Sequence, residues 1–376
     1  MFSLHVDTAR TWRGGQNQAL LTVLGLRAQG HRAALVAHPD GELRRRASEG
    51  PDLIPIAASG DMDFRAAWKL SRVLRMMRPT VVHAHDAHAV SMVALARSLA
   101  RLEPPPAFVV SRRVDFHLRR NAFSRWKYGQ VDQFLCVSDA IRSMLVADGI
   151  AETRTTIVHD GVDLEHVAAA PRLDVHGELW LPAGAPLVGN VAALVPHKGH
   201  RYLISAAAVV IRAVPDARFV IVGEGELEPK LRHQIRELHL ERHVLLAGFR
   251  PDALSLQKGF DLFALSSVTE GMGSVLLDAM AIGQATVATQ AGGIPEVVVD
   301  GHTGVLVPVR DANALAAAIV MLLKDPARRA QLGAAAKERV RDEFSVERMV
   351  QRTLDAYGQL AGTPRARGSG RHVAAD

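Results

Sequence analysis

A short segment near residue 270 places glycines, hydroxyl groups and a carboxylate directly before a helical pattern. The segment reads Ser266-Ser-Val-Thr-Glu-Gly-Met-Gly-Ser274, and an apolar helical run, 275–282, follows it. Glycines at a helix start let backbone N–H groups approach a ligand closely, and the positive end of the helix favours an anion. These residues predict a cradle for a phosphate group.

Two carboxylates flank this predicted cradle. Glu270 lies on the loop that leads into it, and Asp278 follows Ser274 by four residues, on the same helical face one turn later. Carboxylates accept paired hydrogen bonds from sugar hydroxyls, so a phosphate cradle beside them indicates a ligand with phosphate and sugar parts. The structural alternative is an ordinary helix start with a solvated Asp278.

Two further glycine-containing turns follow predicted strands in the same half of the chain. Lys198 lies in Gly189-Asn-Val-Ala-Ala-Leu-Val-Pro-His-Lys-Gly199, where it could hold a phosphate, although a lysine–glycine turn is common in proteins. Gly223 lies in Val222-Gly-Glu-Gly-Glu226 and either borders a nucleotide base or forms a tight turn. A dinucleotide-binding fingerprint is disfavoured, because Glu226 and Leu227 replace the small residues which that motif needs.

The first half of the chain offers another glycine pair and a histidine cluster. Gly14 and Gly15, in Trp12-Arg-Gly-Gly-Gln16, can expose N–H groups at a helix start. The run Val81-Val-His-Ala-His-Asp86 ends a predicted strand, and the two-residue period places His83 and His85 on one face. We expect His85 to face the ligand. A metal site formed by His83, His85, Asp86 and His88 is the alternative, but their spacing matches no zinc motif, and we expect no metal.

A basic pair follows another predicted strand in the first half. Of the two arginines in Ser111-Arg-Arg113, we expect Arg112 to present its guanidinium to a phosphate or an acceptor. The structural alternative is a pair of surface charges.

Alternating β-type and helical patterns predict the elements that position these residues. Short apolar runs alternate with longer helical patterns, and the alternation begins again near residue 187, which predicts two Rossmann-like domains with buried parallel strands. Ligands of such sheets bind at the carboxyl ends of strands, where the candidates lie. The predicted strands are 33–37, 81–85, 108–111, 134–137 and 156–159, then 187–191, 219–222, 244–247, 262–265 and 286–289.

We divide the chain into five parts. Residues 1–165 form the first domain, 166–186 a linker rich in small residues and proline, and 187–343 the second domain. Residues 344–361 form a helix with Ser345 as its N-cap, and 362–376 lack an apolar pattern and are predicted to be disordered.

Composition and charge limit the classes of function. With 48% hydrophobic residues, the 376-residue chain can bury two cores, and neither a membrane-spanning run nor a signal peptide is evident, so we expect a cytoplasmic protein. Residues 1–160 contain 22 of the 45 Lys and Arg but only 15 of the 39 Asp and Glu. This basic excess favours an anionic partner, a membrane surface or a phosphorylated acceptor, whereas no nucleic-acid module is present.

The motifs together resemble those of glycosyltransferase family 4 across nearly all of residues 187–310. The family signature is a Glu-x7-Glu pair around a glycine loop, which Glu270 and Asp278 meet with an aspartate in second place. The resemblance implies that Glu270 contacts the donor sugar, the loop amides its phosphate, and Asp278 the ribose. Lys198 matches the family lysine that holds the diphosphate, but Ala193 stands where an arginine is usual. Either Lys198 works with the loop amides alone, or a neighbour such as His197 or Arg201 compensates.

The resemblance implies the GT-B fold: α/β, with two Rossmann-like parallel-sheet domains that face each other across a cleft and a C-terminal helix that crosses back. It also implies a retaining enzyme without a cofactor that uses a nucleoside-diphosphate sugar as co-substrate, in polysaccharide, lipopolysaccharide or glycolipid synthesis. A nucleotide-sugar epimerase and a non-catalytic sugar-nucleotide-binding protein are the alternatives. The implied catalytic residues are Glu270, Lys198 and His85, and the implied donor-binding residues are Gly14, Gly15, Gly223, Gly271, Met272, Gly273, Ser274, Val275 and Asp278.

Overall fold

The computed structural model describes residues 1–47 and 52–362, and of residues 361 and 362 the backbone only. The described chain forms two parallel β-sheets of seven and six strands, with helices around them. The two Rossmann-like domains expected from the alternating pattern are therefore confirmed. The predicted disordered tail lies outside the described residues, except for Gly362, which ends the last helix.

The first sheet has the strand order β3-β2-β1-β4-β5-β6-β7. Its strands are β1 (Phe2–Val6), β2 (Arg32–Ala37), β3 (Asp52–Pro55), β4 (Val81–Ala84), β5 (Ala107–Arg112), β6 (Gln133–Cys136) and β7 (Thr155–Ile157). The helices of this domain are α1 (Gly14–Ala28), α2 (Glu42–Arg46), α3 (Phe64–Met77), α4 (Ala87–Ala100), α5 (Ala122–Gly129) and α6 (Asp139–Ala147).

The second sheet has the order β10-β9-β8-β11-β12-β13, which repeats the arrangement of the first six strands. Its strands are β8 (Leu187–Val191), β9 (Arg218–Val222), β10 (Val244–Gly248), β11 (Leu262–Leu265), β12 (Thr286–Thr289) and β13 (Val305–Val307). Its helices are α9 (His200–Ala213), α10 (Glu228–Glu237), α11 (Ala253–Gln257), α12 (Ser274–Ile282), α13 (Ile294–Val297), α14 (Ala312–Lys324) and α15 (Pro326–Glu343).

Every predicted strand overlaps an observed one, but β1, β3 and β13 were not predicted. β1 is buried along most of its length, yet the polar residues Ser3 and His5 interrupt its apolar run. β3 and β13 are short edge strands of four and three residues. A rule based on continuous apolar runs misses the strand that polar residues interrupt and two of the short edge strands.

The connection between the domains contains two short helices, α7 (Leu164–Ala169) and α8 (Val175–Glu178). It packs on the second domain, where the backbone N–H of Leu173 donates to Ser255 O at 3.3 Å. The predicted linker 166–186 therefore contains more regular structure than its composition suggested. Its bounds stay a prediction.

The last helix, α16 (Val346–Gly362), returns to the first domain. Val350 packs against α1 so closely that a Cβ on Gly25 would lie 2.5 Å from its side chain, and Tyr357 is buried against the first sheet. Ser345 accepts a hydrogen bond from the N–H of Arg348 at 3.4 Å, as expected of an N-cap. The crossing helix is confirmed.

Two further sequence expectations concern burial and membranes. Cys136 is buried, and burial raises the pKa of its thiol to about 12, which fits a structural rather than a reactive cysteine. None of the described helices combines the length and the apolar character that a membrane crossing requires.

Candidate active site

The glycine loop before α12 is held between two other backbone segments. Gly273 is the N-cap of α12 with a φ of 81°, a left-handed conformation that favours glycine. A Cβ on Gly271 would overlap the carbonyl oxygen of Arg113 in the first domain, and one on Gly292 would overlap the carbonyl oxygen of Glu270. These two glycine positions thus have no room for a side chain, and the loop at the start of α12 adjoins the first domain.

Lys198 and Glu270 meet beside this loop. Lys198 Nζ lies 2.5 Å from Glu270 Oε2, and both side chains are largely buried, with 19% and 13% of their surfaces exposed. The hydroxyl of Ser267 donates to the same carboxylate oxygen at 3.0 Å, and that of Ser266 donates to Lys198 O at 3.1 Å. A cation and an acid are therefore fixed together at the carboxyl ends of β8 and β11.

Asp278 lies one turn into α12, on the half-buried part of the helix. Burial raises the pKa of its carboxyl group to about 7, and no residue of the described chain donates a hydrogen bond to it. A carboxyl group without protein partners at the edge of a cleft is available to accept hydrogen bonds from a ligand.

His197 and Arg201 are the residues expected to compensate for the arginine that Ala193 replaces. Burial and the charge of Lys198 lower the pKa of His197, which is therefore neutral at pH 7. The guanidinium of Arg201 lies over the ring of its neighbour Tyr202, on the exposed side of α9. His197 therefore adds no positive charge, and compensation by Arg201 stays a prediction.

Gly223 lies where two loops run side by side. Its φ is 142°, and a Cβ would overlap the carbonyl oxygen of Ala192. Ala192 N donates to Val222 O at 3.0 Å, and Leu194 N donates to Glu224 O at 2.9 Å. This close approach alone explains the glycine. A contact of Gly223 with the donor stays a prediction.

On the opposite wall of the cleft, three histidines of the first domain form a cluster. His83 and His85 do share one face, with ring centroids 4.2 Å apart, and His5 of the neighbouring β1 joins them. His83 Nδ1 lies 2.6 Å from Tyr357 Oη, and His83 Nε2 lies 2.8 Å from Ser111 Oγ.

A chain of hydrogen bonds fixes the protons of the other two histidines. Arg113 only donates, so its Nη1, 3.1 Å from His85 Nδ1, makes that nitrogen an acceptor. The neutral His85 then carries its proton on Nε2 and donates to His5 Nδ1 at 3.0 Å, and His5 Nε2 donates to Ser3 Oγ at 3.0 Å. Both nitrogens of His85 are therefore engaged within the protein.

Burial keeps all three histidines neutral. Burial and the charge of Arg113 lower the pKa of His5 to about 3, and burial, with its charged neighbours, holds the pKa values of His83 and His85 well below the usual range. The three rings bring potential metal-ligand atoms within 4.8 Å of one another. Every ring nitrogen has a hydrogen-bond partner, however, and the adjacent guanidinium disfavours a second cation.

The arginine that reaches this wall is Arg113, whereas Arg112 points elsewhere. Arg113 Nε donates to Asp160 Oδ1 at 2.8 Å, and both side chains are largely buried. Burial raises the pKa of Asp160 in spite of the Arg113 guanidinium beside it. The backbone of Arg113 adjoins Gly271 of the second domain, so this ion pair lies near the donor side of the cleft. The guanidinium of Arg112 is buried within the first domain and donates to the carbonyl of Phe116.

The first glycine loop completes the arrangement from the N-terminal side. A Cβ on Gly14 would lie 2.9 Å from Ser274 Oγ, so the start of α1 adjoins the start of α12. A Cβ on Gly15 would meet no atom within 4 Å. Two helix N-termini, one from each domain, therefore meet in the cleft.

Hydrogen bonds between side chains of one domain and the backbone of the other connect the domains beside the two helix N-termini. Ser138 Oγ donates to Gly271 O at 2.7 Å across the domain boundary. The carboxylate of Glu296 in the second domain accepts hydrogen bonds from Asp139 N and Ala140 N, at the positive end of α6. These contacts fix the glycine loop relative to the first domain.

Sequence reasoning missed His5, Arg113, Asp160 and Glu296. The two-residue period that paired His83 with His85 also pairs Ser111 with Arg113, and Ser111 contacts His83. That signal identifies Arg113 once β4 and β5 are known to be neighbours. The other three depend on contacts between distant parts of the chain.

Two family profiles match the chain. "Glycosyltransferase Family 4" matches residues 12–166, and "Glycosyl transferases group 1" matches residues 175–339. Together they cover both domains, including the predicted donor site.

Characterised relatives of comparable length carry transferase or synthase names. The chain is 30% identical over 356 residues to the phosphatidyl-myo-inositol mannosyltransferase of Mycolicibacterium smegmatis, a match that covers 89% of this chain and 87% of that protein. It is 34% identical over 202 residues to a GDP-mannose-dependent monoacylated alpha-(1-6)-phosphatidylinositol monomannoside mannosyltransferase of Corynebacterium glutamicum. That match covers 51% of this chain and about half of the relative's length (53%). These names give no support to the epimerase or non-catalytic alternatives.

Solved structures show the same fold. The Anabaena protein HepE, in a complex with UDP and glucose, superposes with a TM-score of 0.82 at 22% identity, covering 96% of this chain and 100% of that one. A sucrose-phosphate synthase from Thermosynechococcus elongatus superposes with a TM-score of 0.76 at 20% identity, covering 96% and 99%. The two-domain architecture expected from the sequence is confirmed.

Proposed function

The chain belongs to glycosyltransferase family 4, and from this premise we propose that it transfers a hexose or related sugar from a nucleoside diphosphate to an acceptor at the cleft described above. The observation that carries this proposal is the Lys198–Glu270 pair at the start of α12, opposite Gly14 and the Arg113–Asp160 pair. It places a cation, an acid and a helix N-terminus around one point.

Each donor-side group has a chemical task. The ammonium of Lys198 and the N–H groups of Gly273 and Ser274 stabilise the negative charge of the departing diphosphate. Glu270 accepts hydrogen bonds from hydroxyl groups of the transferred sugar and orients it. Asp278, which lacks protein partners, accepts hydrogen bonds from the ribose.

The first-domain wall orients the transferred sugar and the acceptor. His85 gives its Nδ1 lone pair to Arg113, and Asp160 holds the same guanidinium from the other side. We therefore assign His85 to the orientation of Arg113, whose remaining N–H groups reach the sugar or the acceptor. Arg113 takes the role that the sequence suggested for Arg112.

The reaction requires no group beyond these residues and the two substrates. The acceptor oxygen bonds to the anomeric carbon, the bond from that carbon to the diphosphate breaks, and the acceptor proton passes to a diphosphate oxygen. The family resemblance implies that the anomeric configuration is retained. An NMR spectrum of the fresh product tests this, because an inverted anomer contradicts retention.

A donor screen and a Glu270→Gln variant test the transfer. Uridine, guanosine and adenosine diphosphate sugars are compared by thermal shift, since a donor at 100 times its dissociation constant stabilises the protein by about 2.7 kcal/mol.

With the donor that binds, Glu270→Gln should fold normally and lose turnover by roughly 100- to 1,000-fold. Glu237→Gln, an exposed carboxylate paired with His233, is the control. A flat screen or a fully active Glu270→Gln enzyme contradicts the proposal.

We also propose that the acceptor is lipid-linked or phosphorylated and that the first domain rests on an anionic membrane. The exposed face of α3 carries Phe64 and Trp68, and α5 exposes Trp126. Cations surround these side chains, and Lys127 of α5 lies 3.6 Å from Asp61 near the start of α3, which joins the two helices. The exposed cations of this surface are Arg65, Lys69, Arg72, Arg75, Arg119, Arg120 and Arg125.

This surface suits an interfacial contact, because aromatic rings enter the headgroup region while cations meet anionic lipids. Vesicles of phosphatidylglycerol should co-sediment the protein, and vesicles of phosphatidylcholine should not. The double variant Lys69→Glu/Arg72→Glu should lose this binding, whereas Lys230→Glu/Arg236→Glu on α10 should keep it. Equal binding by both double variants contradicts the proposed surface.

A further inference from the structure

The donor side of the cleft lacks the positive charge that a diphosphate needs. Lys198 is paired with Glu270, so the two side chains together carry no net charge. Burial and the charge of Lys198 lower the pKa of His197, which leaves that ring neutral. The helix N-termini provide only about half a charge each. A nucleoside-diphosphate sugar carries a negative charge on each of its two phosphate groups, so another cation is required.

Arg13 lies in the right place to supply it. It is the N-cap of α1 and is exposed, and the next residue, Gly14, adjoins Ser274 at the start of α12. Arg13 is therefore next to the N-terminus of α12, and its charge also contributes to the lowered pKa of His197 beside Lys198.

The guanidinium of Arg13 has no partner among the described residues, unlike those of its neighbours. Arg10 Nε donates to His38 Nε2 at 3.1 Å, Arg46 lies over the ring of Trp12, and Arg113 pairs with Asp160. Protein partners fix these three guanidinium groups, whereas Arg13 retains all its N–H groups for a ligand.

The backbone that carries Arg13 is fixed on both sides. Asp7 accepts hydrogen bonds from Ala9 N at 3.0 Å and from Gln16 Nε2 at 3.1 Å, which ties the two ends of the loop together. Thr8 Oγ1 donates to Asp86 at 2.9 Å, and Glu42 N donates to Arg10 O at 3.1 Å. A ligand therefore has to order only the side chain of Arg13, which limits the entropic cost of the contact.

We propose that Arg13 binds the diphosphate of the donor from the first domain and supplies a cation that Ala193 does not. This inference rests on the donor site proposed above. Arg13 and Lys198 then hold the diphosphate from opposite walls of the cleft, so that donor binding also fixes the two domains relative to each other.

Affinity for nucleoside diphosphates tests this inference. Calorimetric titration of UDP, GDP and ADP identifies the one that binds most tightly, and the variants are compared with that probe and with its nucleoside. Arg13→Ala should weaken the diphosphate by roughly 10- to 100-fold, because a charge-assisted contact is lost, and leave the nucleoside unchanged. Arg13→Lys should keep most of the affinity. The affinity of Arg13→Ala should also depend less on salt than that of the parent.

Two further variants separate the possible outcomes. Arg10→Ala removes a charge from the same loop and should bind the diphosphate like the parent. Lys198→Ala should weaken binding whether or not Arg13 takes part. If Lys198→Ala weakens binding while Arg13→Ala stays within twofold of the parent, the inference about Arg13 is wrong and the donor site stands. If neither variant changes the affinity, or no diphosphate binds, both proposals fail.

Discussion

The two walls of the cleft are built in different ways. The glycine loop of the second-domain wall is fixed mainly by backbone: a Cβ on Gly271 or on Gly292 would overlap a carbonyl oxygen. The first-domain wall is made of side chains, with three buried histidines and the Arg113–Asp160 pair in one network. The loop of the second wall depends on positions without side chains, and the network of the first wall depends on specific contacts between side chains.

The two walls also differ in the protonation state of their titratable side chains. Burial makes the histidines of the first wall neutral, so its charge is concentrated on Arg113 and Asp160. On the second wall, Asp278 is desolvated without a partner, which raises the pKa of its carboxyl group to about 7. The histidine network of the first wall is therefore satisfied within the protein, whereas Asp278 on the second wall is available to a ligand.

Adding one methyl group to the second wall should have the largest effect. In Gly292→Ala the new Cβ overlaps the carbonyl oxygen of Glu270, and the φ of 52° is itself unfavourable for alanine. We expect the free energy of unfolding to fall by about 3–5 kcal/mol, measured by urea denaturation.

Gly301→Ala is the matched control. Gly301 has a φ of 68°, but a Cβ there would meet nothing within 4 Å, so only the backbone strain of about 1 kcal/mol remains. Equal losses in the two variants would show that close backbone approach does not determine the second wall.

On the first wall, replacing one side chain should impair the reaction more than the fold. His85→Ala removes the acceptor for Arg113 Nη1, and we expect kcat to fall by roughly 10- to 100-fold while the donor's dissociation constant changes little. His85→Asn keeps an acceptor oxygen near the position of Nδ1 and should recover much of that loss. If Asn and Ala are equally impaired, the orientation of Arg113 is not what His85 provides.

The difference between the walls explains what the sequence could predict. Glu270 and the loop from Gly271 to Ser274 were predicted because glycines directly before a helical pattern indicate the local backbone conformation. The network on the other wall joins residues from β1, β4 and β5 with a loop and the last helix. Its partners depend on strand order, which residue types do not specify, so His5 and Asp160 were missed.

Adjacent strand residues show the same limit at single-residue scale. Arg112 and Arg113 are chemically equivalent in the sequence, and the parity of the strand sends one into the first domain and the other into the cleft. Ser111 of β5 contacts His83 of β4, so the residue two positions after Ser111, Arg113, lies on the same face. Knowledge of this one contact between strands would have favoured Arg113 over Arg112.

Acid should destabilise the first wall through its histidines. Their folded-state pKa values are lowered, so below about pH 6.5 the unfolded chain binds protons that the folded protein excludes, and stability falls as the pH falls. His83→Gln should be less stable than the parent at pH 7 but should lose about 1–2 kcal/mol less between pH 7 and pH 5. Parallel stability curves for parent and variant would show that His83 already binds a proton in the folded protein.

Asp278 should give the second wall the opposite response. Its folded-state pKa is raised to about 7, so between about pH 4 and pH 7 the folded protein holds a proton that the unfolded chain has released. Burial of Asp278 therefore costs increasing stability as the pH rises through this window, and the cost is relieved in acid.

Asp278→Asn removes that titration without removing the polar group. The variant should be more stable than the parent by about 1–2 kcal/mol at pH 8, and the difference should vanish near pH 4. Urea denaturation at both pH values measures it, and because the other shifted groups are common to the two proteins, they cancel in the difference. A pH-independent difference would mean that Asp278 is ionised in the free enzyme, and the second wall would then hold a permanent negative charge beside the incoming phosphate.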